Sequence, residues 1–232
     1  MPLVELDTPG GAMEALVTSP ATGAGPWPGV VIIHDVFGFS QDVKDISRRV
    51  ADAGYLVLTP NLYSRGGGAR CVTKVMRALF AQKGEAFDDI RTAKSYLEGL
   101  DGCAGPIGIA GFCMGGQFAI VMAAGEGFKA SAPFYGVPAP RGLDDLLKGA
   151  CPMVASFGSR DPMGAGSPGR LRKALEANNV VHDVKVYDGV GHSFANQLPA
   201  QPIQRIVGFG YDQAATDDAW GRVFAFFGEH LK

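Results

Sequence analysis

One segment constrains the fold of this chain more than any other: residues 107–116 have the sequence Ile-Gly-Ile-Ala-Gly-Phe-Cys-Met-Gly-Gly. An apolar run typical of a buried strand passes into Gly-x-Cys-x-Gly, and a helical pattern follows at once over residues 117–124. This is the pattern of a nucleophile elbow, with a cysteine where most such turns carry a serine. We expect Cys113 to have an unfavourable backbone conformation at the N-terminus of a helix, where the helix dipole favours a thiolate.

The glycines around Cys113 are part of this pattern. Gly111 and Gly115 lie two positions on either side, where so sharp a turn leaves no room for a Cβ atom. Glycine is abundant, with 33 of 232 residues, so the short pattern alone does not establish catalysis. A free cysteine can equally be a small buried hydrophobic residue. The placement between strand and helix, together with residues downstream, favours the catalytic interpretation.

Predicted strands and helices alternate along the chain. Strand patterns at residues 4–7 and 13–18 predict an N-terminal hairpin or meander within residues 3–18. The apolar run at residues 30–34 is typical of a central parallel strand covered on both faces. The alternation predicts a mainly parallel central sheet with helices on both faces, in one α/β domain over residues 1–232. Further strands are predicted at residues 55–59, 129–135, 153–157 and 183–187, and helices at residues 40–53, 71–82, 85–100, 143–148, 168–178 and 212–231.

Charge and hydropathy exclude several classes of protein. The net charge of −2 without a basic block argues against nucleic-acid binding. No apolar run approaches the ~20 residues of a membrane span, and residues 1–7 lack the pattern of a signal peptide. The cysteines Cys71, Cys103, Cys113 and Cys151 show no metal-ligand spacing and suit a reducing compartment. We therefore expect a cytoplasmic protein, a monomer or small homo-oligomer, without a metal.

Three side chains with complementary chemistry follow predicted strands at their carboxyl ends, where such sheets bind ligands. They are Cys113, Asp161 and His192, in the order nucleophile, acid and base that is typical of α/β-hydrolases. A thiol with a pKa near 8.5 is only a few per cent ionised at neutral pH, so we expect His192 to take its proton. Asp161 would orient the imidazole and stabilise its cation. Before Pro162, Asp161 also fits an Asx turn.

An acyl-transfer site also needs donors for the developing oxyanion. We expect the backbone N–H of Val36, in the loop after the strand at residues 30–34, and that of Met114, next to the nucleophile. Asp35 is an unusual neighbour for an oxyanion loop. It is either a solvated loop aspartate or a group that pairs with the resting thiol or steers the substrate.

Taken together, these motifs resemble the dienelactone hydrolase (carboxymethylenebutenolidase) family. The resemblance implies an α/β-hydrolase fold and a Cys-His-Asp triad that opens small enol lactones of aromatic catabolism, with no metal or organic cofactor. It extends from about residue 30 to residue 195, and helix order extends it over nearly the whole chain. The matching segments are His34-Asp35-Val36-Phe37-Gly38, Asn61-Leu62-Tyr63, Gly111-Phe112-Cys113-Met114-Gly115-Gly116, Asp161 and Gly191-His192-Ser193-Phe194.

Two departures concern the substrate. Family members that act on dienelactone resemble this chain around the first loop but carry glutamate at the position of Asp35. They also hold the substrate carboxylate with arginines, one of them directly after His-Ser-Phe-Ala, where this chain has Asn196. Arg70 and Arg77 are candidates for the other arginine. The resemblance therefore supports an inference about the catalytic groups more strongly than an inference about the substrate.

We expect a cysteine hydrolase for an ester or lactone of a small organic acid, with a small molecule as its only partner. Three alternatives remain: a general carboxylesterase or thioesterase, a redox-responsive thiol protein, and a non-catalytic binding module on a hydrolase scaffold. No resolving cysteine adjoins Cys113, which argues against the redox role. Candidate pocket walls are Phe37, Tyr63, Phe80, Tyr135 and Phe194, of which Phe37 and Phe194 are favoured as walls over core positions.

Overall fold

The computed structural model describes residues 1–66, 69–139, 141–197 and 208–232. Strands and helices alternate after an N-terminal pair of strands. The strands are β1 (Leu3–Thr8), β2 (Gly11–Thr18), β3 (Trp27–Ile33), β4 (Leu56–Pro60), β5 (Cys103–Phe112), β6 (Ala130–Phe134), β7 (Met153–Gly158) and β8 (His182–Tyr187). The helices are α1 (Gln41–Asp52), α2 (Ala69–Ala81), α3 (Glu85–Glu98), α4 (Met114–Val121), α5 (Leu143–Leu146), α6 (Ser167–Ala177) and α7 (Gln213–His230).

The eight strands form one sheet in the order β1-β2-β4-β3-β5-β6-β7-β8. β1 and β2 form an antiparallel hairpin, and β2 runs antiparallel to β4. All other neighbouring pairs are parallel. The predicted mainly parallel sheet is confirmed. For residues 3–18, where a hairpin or a meander was expected, the structure has the hairpin. Parallel order brings the carboxyl ends of β3, β5, β7 and β8 to one edge of the sheet, where the site lies.

Both faces of the sheet are covered, as the unbroken apolar run of β3 predicts. Alternate side chains belong to different cores because successive residues of a strand point to opposite faces. Val31 and Ile33 pack with residues of α2 to α6, whereas Val30 and Ile32 pack with residues of α1 and α7. Each fully buried aliphatic side chain stabilises the fold by roughly 1.5–3 kcal/mol relative to an exposed one.

Several element ends differ from the sequence predictions. α4 begins at Met114, directly after Cys113 and three residues before the predicted start at Gln117. Tight packing explains this difference, since glycines that weaken a helix in isolation are the only residues that fit here. The predicted N-cap of α1 is confirmed, because the Ser40 hydroxyl accepts a hydrogen bond from the Val43 N–H.

The predicted apolar stripe of the last helix, α7, is wrong at one residue. Ala215, Ala219, Val223 and Phe227 are buried as the predicted apolar stripe requires, but Phe226 is only half-buried. Trp220, which the stripe omitted, is fully buried instead and packs against the aromatic side chains of the core. Across the described ranges, no helix combines the length and the apolar character needed to cross a membrane.

Candidate active site

The elbow between β5 and α4 has the strained backbone that its sequence predicts. Cys113 has φ 52° and ψ −110°, a conformation that residues with a Cβ atom rarely adopt. A Cβ atom on Gly111 would lie 2.1 Å from the carbonyl oxygen of Gly115. One on Gly115 would lie 2.2 Å from the carbonyl oxygen of Ile33, in the neighbouring strand. The thiol is therefore fixed at the tip of the turn by backbone packing on both sides.

The predicted acid and base are in direct contact. His192 Nδ1 lies 2.7 Å from Asp161 Oδ2, and both side chains are buried. The other oxygen of the carboxylate accepts hydrogen bonds from the N–H groups of Met163, at 2.8 Å, and Gly164, at 3.1 Å. Asp161 thus forms the Asx turn and holds the imidazole at the same time, so its two predicted roles are compatible.

The environment of His192 favours its charged form. Burial opposes the charge, but the hydrogen bond with Asp161 and the nearby Cys113 sulfur outweigh burial and raise the pKa of His192 to about 9. His192 Nε2 is buried and makes no hydrogen bond to any residue that the structure describes. Cys113 lies close enough to the ring to contribute to this rise in pKa. The imidazole next to the thiol is therefore charged at neutral pH.

Aromatic contacts and backbone bonds fix the position of the imidazole. The ring of Tyr135 lies 4.9 Å from that of His192, and the ring of Phe209 lies 5.3 Å from it, measured between centroids. The His192 N–H donates to the carbonyl of Gly208, and its own carbonyl accepts from the N–H of Gly210. The base is therefore held by two chain segments besides its own.

Two predicted oxyanion donors are available at the sulfur. The N–H groups of Val36 and Met114 donate to no acceptor among the described residues, and both residues line the same cavity as Cys113. The Tyr63 hydroxyl donates to the carbonyl oxygen of Val36 at 3.4 Å. Tyr63 thus holds the loop that contains Val36 by a hydrogen bond. It does not line the described cavity, although it was predicted as a wall residue.

His34 ties this loop to the segment after β4. Its Nδ1–H donates to the carbonyl of Asp35 at 2.7 Å, and its Nε2 accepts from the N–H of Leu62 at 3.2 Å. Complete burial lowers the pKa of His34 to about 4, against the weaker effect of the hydrogen bond with Asp35. The ring is therefore neutral at physiological pH, which these two hydrogen bonds require.

Asp35 is not a solvated loop aspartate, so that interpretation is wrong. Asp35 is only 5% exposed, and its Oδ1 accepts a hydrogen bond from the Phe37 N–H at 2.8 Å. Burial raises the pKa of this carboxyl to about 6, aided by the charge of Asp42 and opposed by the Phe37 hydrogen bond and by His192. Close to the oxyanion loop, Asp35 is thus a carboxylate held in an unfavourable environment.

A chain of hydrogen bonds through Asn196 was not predicted. The hydroxyl of Tyr135 donates to the side-chain oxygen of Asn196, and Asn196 Nδ2 donates to Asp42 Oδ2 at 2.6 Å. Asp42 also accepts from the N–H of Gln197 at 2.7 Å. Because Asp42 and Asn196 are far apart in the chain, no local pattern reveals this pairing. The only sequence signal was the departure from arginine at Asn196.

A cavity of about 470 Å³ opens at the elbow. Its lining includes Phe80 and Tyr135, which were predicted as candidate wall residues, and several residues that no sequence pattern indicated. Among the described lining residues, only three besides Cys113 have polar side chains, so this part of the wall is strongly apolar. The lining residues are Val36, Met76, Leu79, Phe80, Gln82, Cys113, Met114, Gln117, Tyr135, Val137, Pro138, Ala139 and Met163.

Four other expected substrate-binding residues lie away from this cavity. Phe194 has no exposed surface and packs in the core beside Phe134 and Tyr187, so the expectation that it forms a wall is wrong. Phe37 is 63% exposed on the loop surface and does not line the cavity. Arg70 and Arg77 line a separate depression on another face of α2.

Among the residues that the structure describes, no group of three or more His, Cys, Asp or Glu side chains is arranged to hold a metal ion. All four cysteines are free. The groups that meet at the elbow are a thiol, an imidazole bonded to a carboxylate, and two backbone N–H groups.

Comparison with known families gives a match over most of the chain. The model of the dienelactone hydrolase family matches residues 13–231. Curated relatives from Yersinia pestis and Escherichia coli (strain K12) carry the name "Putative carboxymethylenebutenolidase". The first is 27% identical over 95% of this chain and 85% of its own length. The second is 27% identical over 95% of this chain and 84% of its own length.

Solved structures share the architecture. A dienelactone hydrolase-like promiscuous phosphotriesterase from metagenomic libraries matches with a TM-score of 0.81 at 20% identity, over 100% of this chain and 99% of its own. An esterase from Pyrobaculum calidifontis matches with a TM-score of 0.70 at 17% identity, over 98% of this chain and 84% of its own. At such identities the likeness concerns the fold alone, and it confirms the predicted α/β-hydrolase fold.

Proposed function

This chain belongs to the dienelactone hydrolase family and is a hydrolase of ester or lactone bonds, and we propose that it acts through Cys113, His192 and Asp161 by way of a thioester. The observation that carries this proposal is the buried 2.7 Å contact between His192 and Asp161 beside the elbow cysteine. A carboxylate in this position fixes the tautomer and orientation of the ring and favours its cation. A cation beside the sulfur favours the thiolate, which is the nucleophilic form.

In the acylation half-reaction, the Cys113 thiolate attacks the carbonyl carbon of the substrate. A carbon–sulfur bond forms, and the carbonyl electron pair moves to oxygen, where the N–H groups of Val36 and Met114 stabilise the negative charge. The tetrahedral intermediate then collapses and its carbon–oxygen bond breaks. The departing enolate or alkoxide takes the proton of His192, which leaves a neutral imidazole and an acylated sulfur.

In the deacylation half-reaction, neutral His192 takes a proton from a water molecule, whose oxygen attacks the thioester carbon. The same two N–H groups stabilise the second oxyanion. Its collapse breaks the carbon–sulfur bond, so the acid product leaves, the thiolate returns and the imidazole is again protonated. Asp161 pairs with the imidazolium in the resting enzyme and again after water has been deprotonated, so it favours the resting ion pair and lowers the cost of taking the proton from water.

The leaving group decides between lactones and simple esters. In a lactone, the leaving group stays tethered to the acyl group and can attack the thioester again. An enolate is a weaker nucleophile than an alkoxide, so it reverses the acylation less readily. This argument favours enol lactones, whereas the apolar cavity favours a general carboxylesterase as the second candidate.

The experiment compares Cys113→Ala with Cys71→Ala, since Cys71 is also a free and incompletely buried cysteine. We expect Cys113→Ala to lose all measurable hydrolysis of an activated ester, while Cys71→Ala keeps wild-type kcat/KM within a factor of about two. Retained activity in folded Cys113→Ala would contradict the proposal. The ratio of kcat/KM for an enol lactone and for an alkyl ester then separates the two candidates. Sulfenic acid at Cys113 without ester turnover would instead support the redox role.

A further inference from the structure

We propose that the acyl group accepted by the Cys113 cavity is uncharged and apolar, and that substrates bearing a carboxylate there are disfavoured. This inference rests on the proposed thioester chemistry at Cys113, because it concerns the group attached to that thioester. It narrows the substrate class to neutral, lipophilic esters or lactones. Four features of the described structure support it: the cavity wall, the cations of α2, the amide of Asn196 and the exposed edge of the cavity.

The described wall of the cavity carries no charged side chain. Its polar groups are the amides of Gln82 and Gln117 and the hydroxyl of Tyr135, and every other lining residue except Cys113 is apolar. An amide can accept or donate a hydrogen bond, but it does not neutralise a carboxylate. Moving an ionised carboxylate from water into such a wall is unfavourable unless a cation accompanies it.

The cations of α2 line a different surface from the Cys113 cavity. Met76, Leu79 and Phe80, at the spacing i, i+3 and i+4, form one face of the helix and line the Cys113 cavity. Arg70 and Arg77 lie on another face and line a depression of their own together with Lys74. Arg77 adjoins Met76 but points about 100° away from it around the helix axis. Neither Arg70 nor Arg77 is part of the described lining of the Cys113 cavity.

The amide of Asn196 is engaged within the protein and lies apart from the described cavity wall. Its oxygen accepts from Tyr135, its nitrogen donates to Asp42, and the residue is only 3% exposed. An uncharged, buried amide that does not line the cavity cannot replace an arginine as the partner of a substrate carboxylate. The buried carboxyl of Asp35, next to the oxyanion residue Val36, adds negative charge to the same region. A second carboxylate would be repelled there.

Two described residues at the exposed edge of the cavity are apolar as well. Phe80 is 72% exposed and Met163 is 53% exposed, and both line the cavity. Large apolar side chains left in water next to a cavity are typical of surfaces that bind apolar ligands. Methionine adapts its shape to such ligands because its side chain is unbranched and flexible, and Met76 and Met163 both contribute to this wall.

The test uses two esters of equal chain length and the same leaving group: p-nitrophenyl hexanoate and mono-p-nitrophenyl adipate. They differ only in a terminal methyl or carboxylate. We expect the kcat/KM of the wild-type protein to be at least about 30-fold higher for the hexanoate than for the adipate ester. This factor corresponds to the cost of placing an unpaired polar group in an apolar site. Phe80→Arg places a cation at the exposed edge of the cavity and should narrow this ratio by roughly tenfold. Arg77→Gln, on the other face of α2, should leave the ratio unchanged within about twofold.

Equal or better turnover of the adipate ester by the wild-type protein would overturn the inference, and so would a loss of adipate turnover in Arg77→Gln. Both outcomes would leave the thioester mechanism intact, because Cys113 would still be acylated. Failure of both esters to acylate Cys113 in His192→Ala, which lacks the base that activates water, would instead overturn the proposed function and this inference with it; intact mass gives this readout. The two failures are therefore distinguishable in a single set of measurements.

Discussion

Replacing Asp161 by Asn tests how the carboxylate acts on the base. The substitution keeps the shape of the side chain, and its oxygen can still accept from the N–H groups of Met163 and Gly164. The amide NH₂ then faces His192 Nδ1, which lies 2.7 Å from the carboxylate in the native protein. Nδ1 must become an acceptor, so the neutral ring is held with its proton on Nε2, the wrong tautomer for a base.

The structure also gives the size of the effect. Without the carboxylate, the pKa of His192 should fall from about 9 to its ordinary 6.5 or below, since burial is then opposed by the sulfur alone. At about 1.36 kcal/mol for each pKa unit, the imidazolium is destabilised by about 3 kcal/mol, or roughly 10²-fold. The wrong tautomer adds to this loss, and the corresponding change in serine proteases costs about 10⁴-fold. We expect kcat to fall by roughly 10²–10⁴-fold.

The assay is hydrolysis of a p-nitrophenyl ester, with Asp188→Asn as the matched control. Asp188 is exposed and follows the same strand as His192, so its kcat should stay within about twofold of wild type. A raised histidine pKa stabilises the fold below pH 6.5, and this contribution is lost as the pH rises through about 9. The fall in unfolding free energy over this window should therefore be smaller in Asp161→Asn. Folded Asp161→Asn with more than a third of wild-type kcat would refute the reasoning.

Two further predictions concern stability. Gly115→Ala should destabilise the fold by more than about 3 kcal/mol or abolish it, because its Cβ atom would lie 2.2 Å from the carbonyl oxygen of Ile33. Gly169→Ala, whose Cβ atom would meet nothing within 4 Å, should stabilise α6 by about 0.5–1 kcal/mol in the same thermal melts, and equal effects would contradict the packing argument. Asp35→Asn should raise the unfolding free energy by about 1–3 kcal/mol at pH 8 but not at pH 4, because burial raises the pKa of this carboxyl from 3.8 to about 6. Urea titration at both pH values would show this difference, and an unchanged stability at pH 8 would count against a buried charge.

The tight turn at Cys113 and the contact between Asp161 and His192 were predictable because their signals are local. The glycines two residues before and after Cys113 indicate a turn that is too tight for a Cβ atom at those positions. In the structure, a Cβ atom at either position would be too close to backbone atoms. Asp161 and His192 each follow a recognisable strand directly. Since parallel strands end at one edge of the sheet, their order along the chain was sufficient to bring them together.

The substrate-binding residues were harder to predict because they depend on the direction in which a side chain points. Phe194 follows His192 closely, yet its ring turns into the core. Arg77 adjoins Met76, but the two residues lie on different faces of α2. Composition alone cannot choose between cavity and core for an aromatic residue, since both environments are apolar.

Contacts between residues far apart in the chain could not be predicted from local sequence patterns either. The contact of Asn196 with Asp42 joins the segment after β8 to the first turn of α1. Asp35 looked like a loop aspartate because its neighbours in sequence are those of a loop. Its burial depends on elements packed over that loop, which only the folded chain reveals.

The most direct test of the account is to trap the acyl group on sulfur. His192→Ala retains the thiol but lacks the base that activates water, so at mildly alkaline pH it should react with p-nitrophenyl acetate and then stop. Intact mass and peptide mapping should show one acetyl group per chain, located on Cys113, and no adduct in the Cys113→Ala/His192→Ala double variant. An unmodified Cys113, or an acetyl group on another residue whose removal abolishes turnover, would contradict the central claim.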